Sequence, residues 1–93
     1  MPSGTFKKIR NAVRTGNYDL TYHAVEEMAE DNLCLKDIEH AALNGKISRT
    51  EKDALRGTKY VVEGPGLSAQ SVGVVWRFKE TGAFLIITVY EIT

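Results

Sequence analysis

The sequence predicts an α+β domain with two or three N-terminal helices packed on one face of a four-stranded antiparallel sheet. Three observations lead there. Up to Asn44 the apolar residues recur at helical spacing, whereas after Gly45 they alternate and β-branched and aromatic side chains become dense. Helices followed by a run of strands, rather than an alternation of the two, argue for an antiparallel sheet with its helices segregated to one side. The 93 residues contain no repeat, low-complexity tract or linker and are read as a single domain, residues 1–93.

In the first helix Phe6, Ile9 and Val13 share one side, Lys7, Lys8, Arg10, Asn11 and Arg14 take the others, and Gly16 follows where a C′ glycine belongs. The second helix is expected from an N-cap at Thr21 to about Asp31, with Leu20, Ala24, Val25, Met28 and Ala29 on its apolar side and Asn32 as the stop. The third runs from about Leu35 to Leu43, buries Leu35, Ile38 and Ala42, and ends at Asn44-Gly45; its N-cap, Cys34, is a poor one.

Four strands are expected near residues 46–51, 58–63, 71–79 and 83–92, joined as a meander, with "EGPGLSAQ" as a loop and "KETGA" as a tight hairpin. In the last hairpin Val72, Val74, Trp76 and Phe78 form a core face with Leu85, Ile87 and Val89. That register leaves Phe84, Ile86, Thr88 and Tyr90 on the second face with Arg77 and Lys79, and Lys59 joins them if Tyr60 and Val62 point inward.

Lys and Arg number 12, as do Asp and Glu, so the net charge is zero, which argues against a strongly basic nucleic-acid binder. The distribution is uneven. Residues 1–18 carry four basic and no acidic groups, residues 19–39 seven acidic and one basic, and residues 46–59 five basic and two acidic. No apolar run approaches the ~20 residues that cross a bilayer, and "MPSGTFKKIRNAVR" has no secretory h-region, so a cytoplasmic location is expected. Cys34 is the only cysteine, which rules out an intrachain disulfide. His23, Cys34 and His40 match no zinc spacing, and "GPG" is no phosphate loop, so neither a metal nor a cofactor is expected.

Four pieces occur in this order: "TYHAVEEM", "DIEHAALNG" followed by "KI", "KYVVEG" and the terminal "IITVY". Together they resemble the bacterial family called domain of unknown function 4258, over nearly the whole chain up to Tyr90. Members of that family resemble small ribonuclease toxins of the RelE, HigB and BrnT type, and some stand beside zinc-finger antitoxins or form the toxic tips of larger proteins. Carried over by position, the family pattern highlights His23, Ala24, Gly45, Tyr60, Gly64, Thr88 and Tyr90. The chain departs from it at Asp31, where members usually carry arginine, and at Cys34, where a serine or threonine usually caps the third helix.

The resemblance implies a toxin-like endoribonuclease that cleaves RNA without metal by 2′-OH attack, with an antitoxin protein as a candidate partner and a homodimer left open. Such a reaction needs a group to take the 2′-OH proton and cations to balance charge on phosphate. His23 falls on the polar side of its helix with Glu26, Glu27 and Glu30 and is the candidate acid/base. The candidate catalytic set is His23, Arg77, Thr88 and Tyr90, with Lys59, Arg56, Arg49 and Lys79 as substrate-binding cations. The alternative reading is a non-catalytic protein-interaction module that retains the toxin-like fold, with these side chains as solvated surface.

Overall fold

The change of period at Gly45 is where helix gives way to strand. The computed structural model describes residues 4–52, 55–79, 81 and 83–93. Three helices and a short strand come first: α1 (Gly4–Thr15), β1 (Tyr18–Leu20), α2 (Tyr22–Glu30) and α3 (Leu35–Asn44). They precede β2 (Lys46–Glu51), β3 (Lys59–Pro65), β4 (Ser71–Phe78) and β5 (Phe84–Glu91). No helix among the described residues is long and apolar enough to cross a membrane.

Strands β2 to β5 form the expected meander, but the sheet has five strands, not four, and is mixed, in the order β1-β5-β4-β3-β2. β1 pairs in parallel with β5, Tyr18 opposite Phe84 and Leu20 opposite Ile86. A three-residue strand between two helices is too short to show a period, which is why the pattern missed it. Gly16, at φ 74°, turns the chain out of α1 while the Asn17 amide donates to the Ala12 carbonyl at 2.9 Å. The Lys79 amide donates to the Ala83 carbonyl at 2.8 Å across the "KETGA" turn, of which Glu80 and Gly82 lie outside the described residues.

The core lies between α1, α3 and one sheet face. Ile9, Ala12, Val13, Ile38, Ala41 and Ala42 pack on Val62, Val72, Val74, Trp76, Phe84, Ile86 and Val89. α3 approaches β3 backbone to backbone: a Cβ on Gly64 would lie 2.2 Å from the Ala41 carbonyl oxygen, and one on Gly45 2.2 Å from that of Glu63.

Asp37 anchors the start of α3. Its carboxylate is buried and accepts the Cys34 amide at 2.9 Å, the Cys34 thiol at 3.2 Å and the Leu67 amide at 2.8 Å. The amide bonds from Cys34 and then Leu67 hold its pKa below the ordinary carboxylate value of 3.8. The weak cap at Cys34 is thus compensated by Asp37, three residues on. The same carboxylate pins the loop after Pro65, to which β3 runs beyond its expected end at residue 63.

α2 differs from the expectation. It packs along β5, and only Ala24 of its residues is buried. Val25 is 51% exposed, Ala29 is exposed, and Leu35 at the head of α3 is 40% exposed, against their predicted core positions. A helix beside a strand edge needs a narrower apolar stripe than one lying across a face.

Polar groups hold this edge. The Thr21 amide donates to the Ile86 carbonyl at 2.9 Å, and the Thr21 hydroxyl donates to the Ile87 carbonyl at 3.3 Å and accepts the Ala24 amide at 3.1 Å. Farther along, Glu27 accepts the Val89 amide and Asp31 the Glu91 amide, each at 3.1 Å. Side chains of α2 therefore satisfy edge amides of β5 that a further strand would otherwise take.

The parity of β5 also needs correction. Val75 pairs with Thr88 but Trp76 pairs with Ile86, so Ile87 is an extra residue in a β-bulge. Phe84 and Ile86 consequently face the core together with Val89, while Leu85 takes the second face with Thr88 and Tyr90. Strict alternation had assigned Leu85 and Ile87 to the core and Phe84 and Ile86 to the second face. It is correct only beyond the bulge.

Candidate functional site

The sheet face opposite the core is ordered in rows by its pairing. Glu51, Lys59, Arg77, Leu85 and Asp19 form one row. Arg49, Val61, Val75 and Thr88 form the next, and Lys46, Glu63, Gly73 and Tyr90 the third. Paired side chains on one face stand ~5 Å apart at Cβ, so the rows bring Lys59, Arg77, Arg49, Thr88 and Tyr90 onto one surface. Val61 and Val75 lie in its middle and are buried.

Arg77 has no carboxylate partner among the described residues, and its Nε is buried without a hydrogen bond. Three other candidate cations are engaged. Arg49 Nε lies 2.8 Å from Glu51, and Lys59 Nζ lies 3.6 Å from the same carboxylate. The Arg49 hydrogen bond, with further help from Lys59, keeps Glu51 below the usual glutamate range. Arg49 is raised in turn, first by Glu51 and then by Tyr90 and Glu63. Lys79, just past the end of β4, pairs with Asp19 at 3.0 Å. Arg56, between β2 and β3 in the chain, is exposed.

Tyr90 owes its position to Gly73. A Cβ there would lie 2.3 Å from the Tyr90 ring, so only glycine lets the phenol lie across the sheet. Gly73 belongs to the site in this sense, and the signal for it was a glycine inside a strand pattern.

His23 stands at the β5 border of this face. Its side chain is 66% exposed, and Nε2 lies 3.3 Å from Glu27 Oε1, the oxygen that accepts the Val89 amide. Thr21, which binds the Ile87 carbonyl, seats the start of α2 at the bulge next to Thr88. Among the described residues His23 hydrogen-bonds to none of Arg77, Lys59 or Tyr90, and its link to the strand runs through Glu27.

His40 is a structural residue: its Nδ1–H donates to the Pro65 carbonyl at 2.7 Å. No group of three or more metal-ligating side chains occurs among the described residues.

Residues 20–91 match the family described as Domain of unknown function (DUF4258). The chain belongs to that family. No curated protein and no solved structure matches it. Among the positions that carried the resemblance, packing accounts for four in this DUF4258 domain: Ala24 is buried, Gly45 and Gly64 let α3 meet β3, and Tyr60 packs against the core. It leaves His23 without a packing role and Thr88 and Tyr90 half-exposed, all three along β5. Asp31, where members of the family usually carry arginine, accepts the Glu91 amide at the sheet edge, which a guanidinium could not do.

Proposed function

We propose that this DUF4258 domain is a toxin-like, metal-independent endoribonuclease that acts on RNA in the cytoplasm. The observation that carries the reading is the set His23, Thr88 and Tyr90, which core packing does not explain, together with Arg77, which has no carboxylate partner among the described residues. In this reading Arg77 holds the scissile phosphate, with Lys59 beside it and Arg49, Lys79 and Arg56 along the strand path. Thr88 and Tyr90 orient the phosphate oxygens.

His23 takes the proton of the ribose 2′-OH, and the 2′ oxygen attacks phosphorus. The bond to the 5′ oxygen breaks, and that oxygen leaves with a proton from solvent, giving a 2′,3′-cyclic phosphate and a 5′-OH end. Glu27, already bonded to the Val89 amide, holds the imidazole toward β5.

Purified protein incubated with total RNA in EDTA should release fragments with those ends. Replacing Arg77 by alanine should slow cleavage about 100-fold or more, as expected for loss of a group that stabilises the transition state, and His23→Ala should slow it about 100-fold. Absence of cleavage by native, inhibitor-free protein, with no growth arrest on induced expression, would falsify the reading. A second reading, a non-catalytic protein-binding module, is favoured by the carboxylate partners of Arg49, Lys59 and Lys79 and by Tyr22, 80% exposed beside Val25 on α2. An antitoxin is then the candidate partner, and co-purification of native protein but not a Tyr22→Glu variant would support it.

A further inference from the structure

The end of the sheet where β4 stops has a cleft on the helix side that the site above does not use. Phe78 is 44% exposed there and meets Phe84 edge-on, with ring centroids 5.1 Å apart at 70°. Two adjoining hollows share Phe78, Phe84 and Lys8 as lining; Tyr60 closes one, and Asn11 and Asn17 the other. The Lys8 ammonium lies 5.6 Å from the centre of the Phe78 ring.

An exposed aromatic ring at a strand end, beside amide side chains and a cation, suits a flat π-system that carries a negative charge. The electrostatics favour an anion: α1 has Lys7, Lys8, Arg10 and Arg14 and no carboxylate. Phe78 also follows Arg77 directly, so its ring lies around the end of the sheet from the proposed phosphate cation.

We infer that this cleft holds an unpaired nucleobase of the bound RNA, stacked on Phe78 with its adjoining phosphate on Lys8. The inference rests on the RNA reading proposed above. A strand crossing the open face would leave it past Arg77 and turn over the sheet end, where Lys8 moves from the ring to the phosphate and the base takes its place.

Binding of fluorescein-labelled hexaadenylate, read by anisotropy at low salt, tests this with Phe78→Leu, which keeps an apolar contact to Phe84 but removes the ring. Phe78→Tyr restores the ring, and thermal melts confirm that both variants fold. Binding should weaken about 10-fold in Phe78→Leu and recover in Phe78→Tyr, while an abasic ribose-phosphate hexamer should bind native protein and Phe78→Leu equally.

Equal hexaadenylate binding by native protein and Phe78→Leu, together with a loss in Arg77→Ala, overturns the base site and leaves the RNA reading standing. If native protein binds no hexamer, the RNA reading falls, and titration with adenosine monophosphate decides the site separately. Saturable shifts of the Phe78 ring resonances with adenosine monophosphate, but not with ribose 5-phosphate, keep a site for free nucleotides; no shift overturns it.

Discussion

Helices α2 and α3 are alike in length, with 9 and 10 residues, yet the fold uses them differently. α3 lies on the sheet with its backbone against β3, and its buried Asp37 ties its first turn to the following loop. α2 hangs on the edge of β5 by Thr21, Glu27 and Asp31, with one buried residue. The difference teaches where chemistry can sit. A helix locked by backbone contact gives one whole side to the sheet, whereas one held at a strand edge by side-chain hydrogen bonds can present His23 beside the strand that carries Thr88 and Tyr90.

Stability measurements can break or sharpen this contrast. Gly64→Ala should have the largest effect, because its Cβ would meet the Ala41 carbonyl oxygen at 2.2 Å and α3 must move. A cost of about 3 kcal/mol, or roughly 15 °C in Tm, is expected in a thermal melt; a near-neutral result would mean that α3 is not locked.

Asp37→Ala comes next, at about 2 kcal/mol, because the Cys34 and Leu67 amides lose a charged acceptor. The native pKa of Asp37 lies below its ordinary 3.8. Its contribution is therefore complete above that value and is lost as the pH falls through the lower native one. Urea midpoints of native protein and Asp37→Asn should lie apart at about pH 6 and converge as the pH falls below 3.8.

On α2, Thr21→Ala should cost about 1 kcal/mol, the usual worth of an N-cap, and loosen the bulge at Ile87, read as faster amide exchange at Thr88 and Val89. His23→Ala should change stability least, by no more than about 0.5 kcal/mol, because the ring is largely exposed. A large loss there would assign His23 to the fold rather than to chemistry.

Much of the architecture was legible from periodicity. The three helices, the strands of the meander and the N-cap at Thr21 stand where spacing put them. The failures have particular causes. β1 is too short to have a period, Val25 is apolar but lies on a helix that borders the sheet rather than covering it, and the parity of β5 changes at Ile87.

The candidate face fared similarly. Arg77, Thr88 and Tyr90 share a surface because the misassigned residues lie on the near side of the bulge and these lie beyond it or across from it. Gly73 was visible as a glycine within a strand, but its purpose emerges only when Tyr90 is seen lying over it. The link from His23 through Glu27 to Val89 joins residues 62 apart, at Glu27 and Val89, and no local pattern encodes it.

Local chemistry in the chain determined the elements and their caps, since the spacing of apolar groups and the conformational range of glycine act over a few residues. Tertiary structure alone decided which edge α2 covers, where β5 bulges and which carboxylates Arg49, Lys59 and Lys79 meet. Those features depend on which amides, carbonyls and charges from distant parts of the chain find one another once the core has closed.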